Sequence, residues 1–171
     1  MNVARILAVT ALAVAPSLVQ ADDRAELSVP LSVEVAAAPA EIWALIGDFQ
    51  DLGWHPAVFS TDGDGGNDSG ATRLLTLMKE GGPTIAEELT AYDGAAMSYS
   101  YIITEVAPEV LPVDAYSATI AVSAAGNGAR IDWQGSFKRA MAEGVTDEAA
   151  TGAITGVYQA GLDALVAGFG Q

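Results

Sequence analysis

The sequence predicts an α+β fold in which a curved antiparallel sheet wraps around a long C-terminal helix. The middle of the chain alternates apolar and polar residues in short runs separated by turn signals, a pattern typical of antiparallel strands. From Val145 onward the apolar spacing becomes helical. The helix must bury its apolar stripe against the sheet, and a sheet that curls around a helix can leave a cavity between the two layers.

The first 21 residues predict a cleavable signal peptide. A basic start precedes the apolar run Ile6–Val19, and the small residues Val19 and Ala21 suit a signal peptidase. We expect cleavage after Ala21, a periplasmic or secreted product, and a single domain over 22–171 without stable membrane insertion. An uncleaved anchor is the alternative, and it is disfavoured because the apolar run is shorter than a membrane span.

The charge of the chain bears on its partners. There are 22 acidic and 7 basic residues, a net charge of −15 at pH 7. Such a field repels phosphate groups, so we expect neither nucleic acid nor an anionic membrane surface as a partner. A basic protein would be attracted, although solubility alone also accounts for the charge.

Metal and cofactor sites are not predicted. The chain has one histidine and no cysteine, which disfavours zinc and iron. The acidic segment Asp62–Gly70 resembles a calcium-binding loop only superficially, because Asn67 stands where glycine is needed and Arg73 where a bidentate glutamate belongs. No phosphate-binding or dinucleotide-binding glycine motif is found.

The first elements follow from local signals. Alternating apolar residues predict a strand over Leu27–Val35. Two short helices are expected next, and Pro39 starts the first of them. Asp48 caps the second, which covers Phe49–Leu52 and ends at Gly53.

Six further strands are predicted before the long helix. Their runs are Val58–Thr61, Ala71–Lys79, Thr84–Tyr92, Met97–Glu105, Ala115–Ser123 and the residues around Ile131–Phe137. Hairpin turns are expected at Asp93-Gly94 and Asn127-Gly128. The prolines within Val106–Val113 predict a loop over the mouth of the cavity.

The C-terminal helix is predicted from one apolar stripe. Its members are Ile154, Val157, Tyr158, Gly161, Leu162, Leu165 and Phe169. Gly152, Gly156 and Gly161 are expected to let this helix lie close to the sheet.

Several motifs carry a family resemblance. They are Val35 with Pro39-x-x-x-Trp43, Asp48-Phe49, Trp54-His55-Pro56, Gly70-x-x-Arg73, Glu87-x-Leu89 with Asp93, Tyr99-x-Tyr101, Pro112-Val113, Tyr116, Trp133, Phe137 and Gly161-Leu162. Together they resemble the START/Bet v 1-like superfamily, the SRPBCC group of polyketide cyclase/dehydrase and lipid-transport proteins. The resemblance spans the mature chain and implies a helix-grip fold. Within the group the chain is most similar to periplasmic MxaD-like proteins associated with methanol oxidation, which implies a periplasmic dehydrogenase or its cytochrome as a partner.

Arg73 and Glu87 are the first candidates for a ligand-binding site. A turn at Gly81-Gly82 makes them near diagonal neighbours on adjacent strands, and strand parity points both toward the apolar interior. Charges among apolar neighbours are costly unless they bond to each other, which favours a polar spot in a cavity wall. A structural ion pair that only fixes strand register is the alternative.

Aromatic and imidazole side chains complete the predicted site. The expected ligand-binding residues are Trp54, His55, Arg73, Glu87, Tyr99, Tyr101, Tyr116 and Trp133. Pro56 holds His55 extended, where it can act as an acid, a base or a ligand donor, or simply hydrogen-bond its own loop. Tyrosine hydroxyls and indole N–H groups can donate to a ligand, whereas Trp43 and Phe137 are explained as core residues by their spacing.

Three functions stay open at the level of sequence. The first is an exported binding or accessory protein that holds a small apolar or amphipathic molecule. The second is a cyclase or dehydratase in which His55 acts with Glu87 or Tyr101 as acid and base. In the third, the cavity is incidental and the acidic surface binds a partner in a salt-dependent way.

Overall fold

The computed structural model describes residues 22–170. Its strands are β1 (Leu27–Val35), β2 (Val58–Asp64), β3 (Thr72–Leu77), β4 (Thr84–Asp93), β5 (Ser98–Val106), β6 (Val113–Ala125) and β7 (Gly128–Arg139), and its helices are α1 (Pro39–Ile46) and α2 (Asp147–Phe169). The predicted signal peptide over residues 1–21 lies outside the described residues. Within 22–170, no helix is both long enough and apolar enough to cross a membrane.

The seven strands form one antiparallel sheet in the order β1-β7-β6-β5-β4-β3-β2. Adjacent strands are consecutive in the chain except at one position, where the first strand pairs with the last. There Leu27 lies opposite Phe137, and Val35 lies opposite Ala129. α2 packs against β1 and β7, so the C-terminal helix covers the concave face of the sheet. The predicted fold class is confirmed.

Alternation along the strands produces the core as expected. Every second residue is buried from Tyr116 to Val122 in β6 and from Ala129 to Phe137 in β7. These residues include Tyr116, Ala118, Ile120, Val122, Ile131, Trp133 and Phe137. Ile154, Tyr158, Leu162 and Leu165 face them from α2. One continuous apolar interior therefore lies between the helix and the sheet.

The second predicted short helix is wrong, because the segment after α1 consists of turns. The Asp48 carboxylate accepts from the Gln50 backbone N–H at 3.0 Å, and the Asp51 carboxylate accepts from Gly53 N–H at 2.8 Å. These side-chain bonds give the backbone an alternative to helical hydrogen bonding. Asp48 does cap a turn, but no regular helix follows it.

Two of the three glycines assigned to the helix–sheet contact are on the opposite side of α2. Gly152 and Gly156 are exposed, whereas Gly161 is buried against the sheet. An α-helix turns by about 100° per residue, so the nine residues from Gly152 to Gly161 span about two and a half turns. The two glycines therefore lie on opposite sides of the helix. Only Gly161 serves the close approach.

A bulge near the start of β6 aims Tyr116 into the interior. The register with β7 shifts between Asp114 and Ser117, and Ala115 has a φ of 49°. A residue with a side chain rarely adopts this left-handed conformation, and bulges commonly redirect a side chain. β6 begins at Val113, two residues ahead of the expected Ala115, and the bulge lies within it.

The start of β5 also differs from the expectation. β5 begins at Ser98, one residue later than expected, since Met97 has a positive φ of 52°.

Candidate functional site

A largely apolar cavity of about 70 Å³ lies between α2 and the sheet. Ile154 and Val157 contribute from α2, Leu75 and Ile85 from β3 and β4, and Leu111 from the loop before β6. The cavity exceeds the roughly 10–15 Å³ that one water molecule needs and is smaller than the roughly 300–1,000 Å³ of sites for drug-sized ligands. It has room for one small molecule.

Five of the eight predicted site residues line this cavity. They are His55, Glu87, Tyr101, Tyr116 and Trp133. Arg73 sits behind Glu87 and does not line it, and neither do Trp54 and Tyr99. The Trp54 indole N–H and the Tyr99 hydroxyl are both buried without a hydrogen-bond partner within residues 22–170. Both side chains pack into the aromatic core, where Trp54 contacts Trp133 and Tyr99 contacts Phe49.

Arg73 and Glu87 form a buried ion pair. They are direct partners across β3 and β4, which corrects the expected diagonal arrangement; no bulge intervenes between the two strands at this point. Arg73 Nε donates to Glu87 Oε2 at 2.6 Å, the distance of a charge-assisted hydrogen bond. The two residues are 2% and 5% exposed. Glu87 is the member that reaches the cavity.

The guanidinium of Arg73 is held on all sides. Its Nη1 donates to the carbonyl oxygen of Phe49 at 2.8 Å, and its central carbon lies 4.1 Å above the Phe49 ring and 5.2 Å from the Tyr101 ring. Such cation–π contacts stabilise a desolvated cation. The sequence prediction located the pair but missed Phe49, which follows the short helix in the chain.

Opposing effects act on the titration of this pair. Burial raises the pKa of the Glu87 carboxyl, and the Arg73 charge limits the rise. Burial alone would lower the pKa of Arg73, but the negative charge of Glu87 opposes this and the pKa is raised. The guanidinium therefore stays protonated. A neutral Glu87 would leave this buried cation without an anionic partner within residues 22–170, so we describe the pair as ionised at neutral pH.

Three tyrosine hydroxyls and one indole form a hydrogen-bonded row beside the ion pair. Trp133 Nε1 donates to Tyr101 Oη at 3.1 Å, Tyr101 Oη lies 3.4 Å from Tyr116 Oη, and Tyr116 Oη lies 2.6 Å from Tyr158 Oη. Burial raises the pKa of each of the three tyrosines, so all three remain neutral phenols. They are hydrogen-bond donors rather than bases at any ordinary pH.

Tyr158 is the member of this hydrogen-bonded row that the sequence did not single out as a site residue. It was placed in the apolar stripe of α2, where it is indeed buried. Its ring stacks on Trp133 with 4.3 Å between centroids, and its hydroxyl occupies the space that a side chain at Gly135 would need. A glycine among large residues in β7 is the signal that could have indicated a close neighbour.

His55 fastens the loop after α1 to α2. Its Nε2 bonds the Val157 carbonyl at 2.9 Å, and its Nδ1 accepts from the Ala57 backbone N–H at 3.2 Å. These partners assign the proton to Nε2. Burial lowers the pKa of the imidazole, although the bond to Val157 opposes this. With both nitrogens engaged, His55 supports the cavity wall and has no free atom for acid–base chemistry.

No metal centre is evident at the cavity. Within residues 22–170, no group of three or more histidine, cysteine, aspartate or glutamate side chains is arranged to hold a metal ion.

Solved structures share this architecture. XoxI from Bacillus cereus is 29% identical with a TM-score of 0.72, covering 83% of this chain and 94% of that one. An uncharacterised protein from Bacillus thuringiensis is 31% identical with a TM-score of 0.71, covering 84% and 98%. A major latex-like protein from Panax ginseng matches in fold alone, at 14% identity with a TM-score of 0.66, covering 85% and 99%.

Family comparison gives the same result. The family described as polyketide cyclase / dehydrase and lipid transport matches residues 26–170. No curated protein matches the chain. The match includes all seven strands and both helices, and the chain therefore belongs to the polyketide cyclase/dehydrase and lipid transport family of the SRPBCC superfamily.

Proposed function

We propose that this chain is an exported protein that binds a small apolar or amphipathic molecule in the cavity under α2. The observation that carries the proposal is the convergence of Glu87, Tyr101 and Tyr116 on one otherwise apolar cavity. Few polar groups in an apolar pocket are typical of ligand sites, where they orient the ligand. Family membership and the Bet v 1-like fold support a ligand-binding role. Export rests on the signal-peptide pattern in residues 1–21.

The size of the cavity limits the ligand. A volume of about 70 Å³ suits a molecule of a few heavy atoms, and a larger ligand requires its walls to move. Part of the wall is made of connecting segments: Leu52, His55 and Ala57 lie in the turns after α1, and Leu111 lies in the loop before β6. Such segments shift at lower cost than paired strands.

Binding can be tested with a small apolar molecule and two tryptophan substitutions on one strand. Leu75 lines the cavity, whereas its neighbour Leu74 is 41% exposed on the outer face of β3. Toluene, a small uncharged apolar molecule, should shift the NMR signals of the wild type and of Leu74→Trp but not those of Leu75→Trp. Equal binding by all three proteins, each shown to be folded by near-ultraviolet circular dichroism, would refute a ligand site in the cavity. Native mass spectrometry of protein from its own cell envelope would then identify the natural ligand.

An enzymatic function is the second candidate. Glu87 is a buried carboxylate close to phenol donors, an arrangement that can remove a proton and stabilise the resulting oxyanion. This form of the cyclase or dehydratase hypothesis uses Glu87 with Tyr101 and leaves out His55, because both imidazole nitrogens are engaged. Glu87→Gln should then abolish turnover of a bound substrate while Tyr99→Phe leaves it unchanged.

An accessory role beside a periplasmic alcohol (methanol) dehydrogenase or its cytochrome is the finer form of the binding proposal. It rests on the MxaD-like resemblance and on the net charge of −15, which would speed encounter with a basic face. Affinity for such a partner should fall steeply between low and physiological salt. Affinity independent of salt would exclude the electrostatic part of this role.

A further inference from the structure

Hydrogen-bond counting in the tyrosine row leaves one donor unused. Tyr101, Tyr116 and Tyr158 supply three hydroxyl hydrogens, and the two contacts that join them consume two. The Trp133 indole brings its own hydrogen and accepts none, so it does not change the count. One hydroxyl hydrogen therefore has no acceptor within the row.

The position of the row decides where this hydrogen points. Tyr158 does not line the cavity, and its hydroxyl is packed against Gly135, so a spare hydrogen there would be buried without a partner. Tyr158 therefore donates to Tyr116. The spare hydrogen belongs to Tyr101 or Tyr116, both of which line the cavity. The row accordingly has one spare phenolic hydrogen, and it belongs to a residue of the cavity wall.

Glu87 supplies the complementary acceptor. Arg73 bonds to Oε2, and Oε1 has no hydrogen-bond partner within residues 22–170. Glu87 lines the cavity while the cation stays behind it. Glu87 and the Tyr101 ring are neighbours, since the Arg73 guanidinium bonds the carboxylate and its central carbon lies 5.2 Å from the ring centroid. An anionic acceptor and a neutral donor thus face one small space.

We propose that the cavity recognises an uncharged molecule through a single hydroxyl group. The ligand oxygen accepts from Tyr101 or Tyr116, and the ligand hydrogen is donated to Glu87 Oε1. This inference rests on the proposed binding function and adds the chemical class of the ligand. A hydroxyl group is the smallest group that satisfies both partners at once.

Charge selects against the alternatives. A carboxylate would face the Glu87 carboxylate, and no lysine or arginine of the described part of the chain lines the cavity to compensate for it. A cation would be uncompensated as well, since Arg73 already neutralises Glu87. A hydrocarbon would enter but leave both polar groups without partners, which costs affinity.

The inference can be tested with phenol, toluene and benzoate, which are similar in size and differ in the relevant group. Binding is measured from NMR shifts of the full mature protein and of Leu111→Ala, which enlarges the cavity without altering a polar group. Phenol should bind at least about tenfold more tightly than toluene or benzoate, because it forms a hydrogen bond to a charged acceptor.

Substitutions identify the groups responsible. Tyr101→Phe and Tyr116→Phe, singly and together, should reduce phenol affinity about tenfold and leave toluene affinity unchanged. Tyr99→Phe is the matched control, because its hydroxyl does not line the cavity. Glu87→Gln replaces the carboxylate with a neutral amide, whose NH2 group can donate a hydrogen bond. The ratio of phenol affinity to benzoate affinity should therefore decrease. If Glu87→Gln does not fold, the tyrosine variants decide.

The outcomes separate the two proposals. Toluene binding as tightly as phenol would overturn the hydroxyl class and leave ligand binding intact. An unchanged phenol affinity in the Tyr101→Phe/Tyr116→Phe double variant would also overturn it. Failure of all three compounds to bind, in the wild type and in Leu111→Ala, would overturn the binding function together with this inference.

Discussion

Arg73 and Glu87 face each other across β3 and β4 with 2.6 Å between Nε and Oε2, and the same guanidinium bonds the Phe49 carbonyl. The pair therefore joins two strands and the turn after α1 at the wall of the cavity. It leaves one carboxylate oxygen for the interior. A contact between two strands thus also places Glu87 at the cavity, where it is the only acidic side chain among the described residues of the wall.

Removing one member of this pair should be severely destabilising. Arg73→Met leaves a buried carboxylate without its cation, and we expect the free energy of unfolding to fall by about 3–5 kcal/mol. Urea denaturation at pH 7 measures the change. Arg130→Met is the control, because its pair with Asp132 is about 45% exposed on both sides and should contribute less than about 1 kcal/mol. Similar losses in the two variants would show that the buried pair is not a structural anchor.

Glycine-to-alanine substitutions on α2 should have opposite signs. A Cβ at Gly161 would lie 2.7 Å from His55 Cδ2 and 2.9 Å from a Trp133 ring carbon, whereas a Cβ at Gly156 would meet nothing within 4 Å. We expect Gly161→Ala to destabilise by about 1–3 kcal/mol through overpacking. Gly156→Ala should stabilise by about 0.5–1 kcal/mol through helix propensity. Thermal unfolding monitored by circular dichroism compares them, and a stabilising Gly161→Ala would contradict the packing described.

Removal of a tyrosine hydroxyl should lower stability within the hydrogen-bonded row but not at its neighbour Tyr99. Tyr158→Phe deletes the partner of a 2.6 Å bond to Tyr116 and should cost about 1–2 kcal/mol of unfolding free energy. Tyr99→Phe deletes a buried hydroxyl that has no partner within residues 22–170, so stability should be unchanged or higher. The denaturant midpoint of each variant, compared with the wild type at equal m-value, measures its change in stability. A larger loss in Tyr99→Phe than in Tyr158→Phe would refute the assigned bonds.

Sequence patterns predicted the strands well because alternation reports which side chains are buried. The inward direction of Arg73 and Glu87 followed from strand parity alone, since Leu75 and Ile85 mark the same face. Parity could not give their direct pairing, which depends on the length and geometry of the turn between β3 and β4. It also could not predict the bulge at Ala115. The residue there has a positive φ but is an alanine, so the sequence contains no glycine that would indicate the turn of the backbone.

Other features depend on contacts between distant parts of the chain. His55 and Val157 are 102 residues apart, and nothing local predicts that a helix carbonyl accepts from this imidazole. Tyr158 looked like an ordinary member of an apolar stripe until its hydroxyl was found against Tyr116 and Gly135. The expected second helix failed for a local reason, because Asp48 and Asp51 bond to backbone N–H groups in turns.

His55 should make the protein less stable as the pH falls below about 6.5. Burial lowers the pKa of the imidazole in the folded state relative to its ordinary value of 6.5. Between these two pKa values the unfolded chain binds a proton and the folded protein does not, so the free energy of unfolding decreases with falling pH. The loss is complete once the pH is below the folded pKa. In the folded state Nδ1 accepts a hydrogen bond from the Ala57 backbone N–H. Protonation of Nδ1 would remove this bond and bring two N–H groups into contact.

NMR can follow this titration directly, because His55 is the only histidine in the chain. The ring Cε1–H signal should move with a pKa below 6.5, and its midpoint should coincide with the end of the stability loss. Urea denaturation between pH 7.5 and 5 gives that loss, and His55→Gln should remove this part of the pH dependence while lowering stability at pH 7.5. A pKa at or above 6.5 would mean that the ring is solvated rather than fastened between Ala57 and α2.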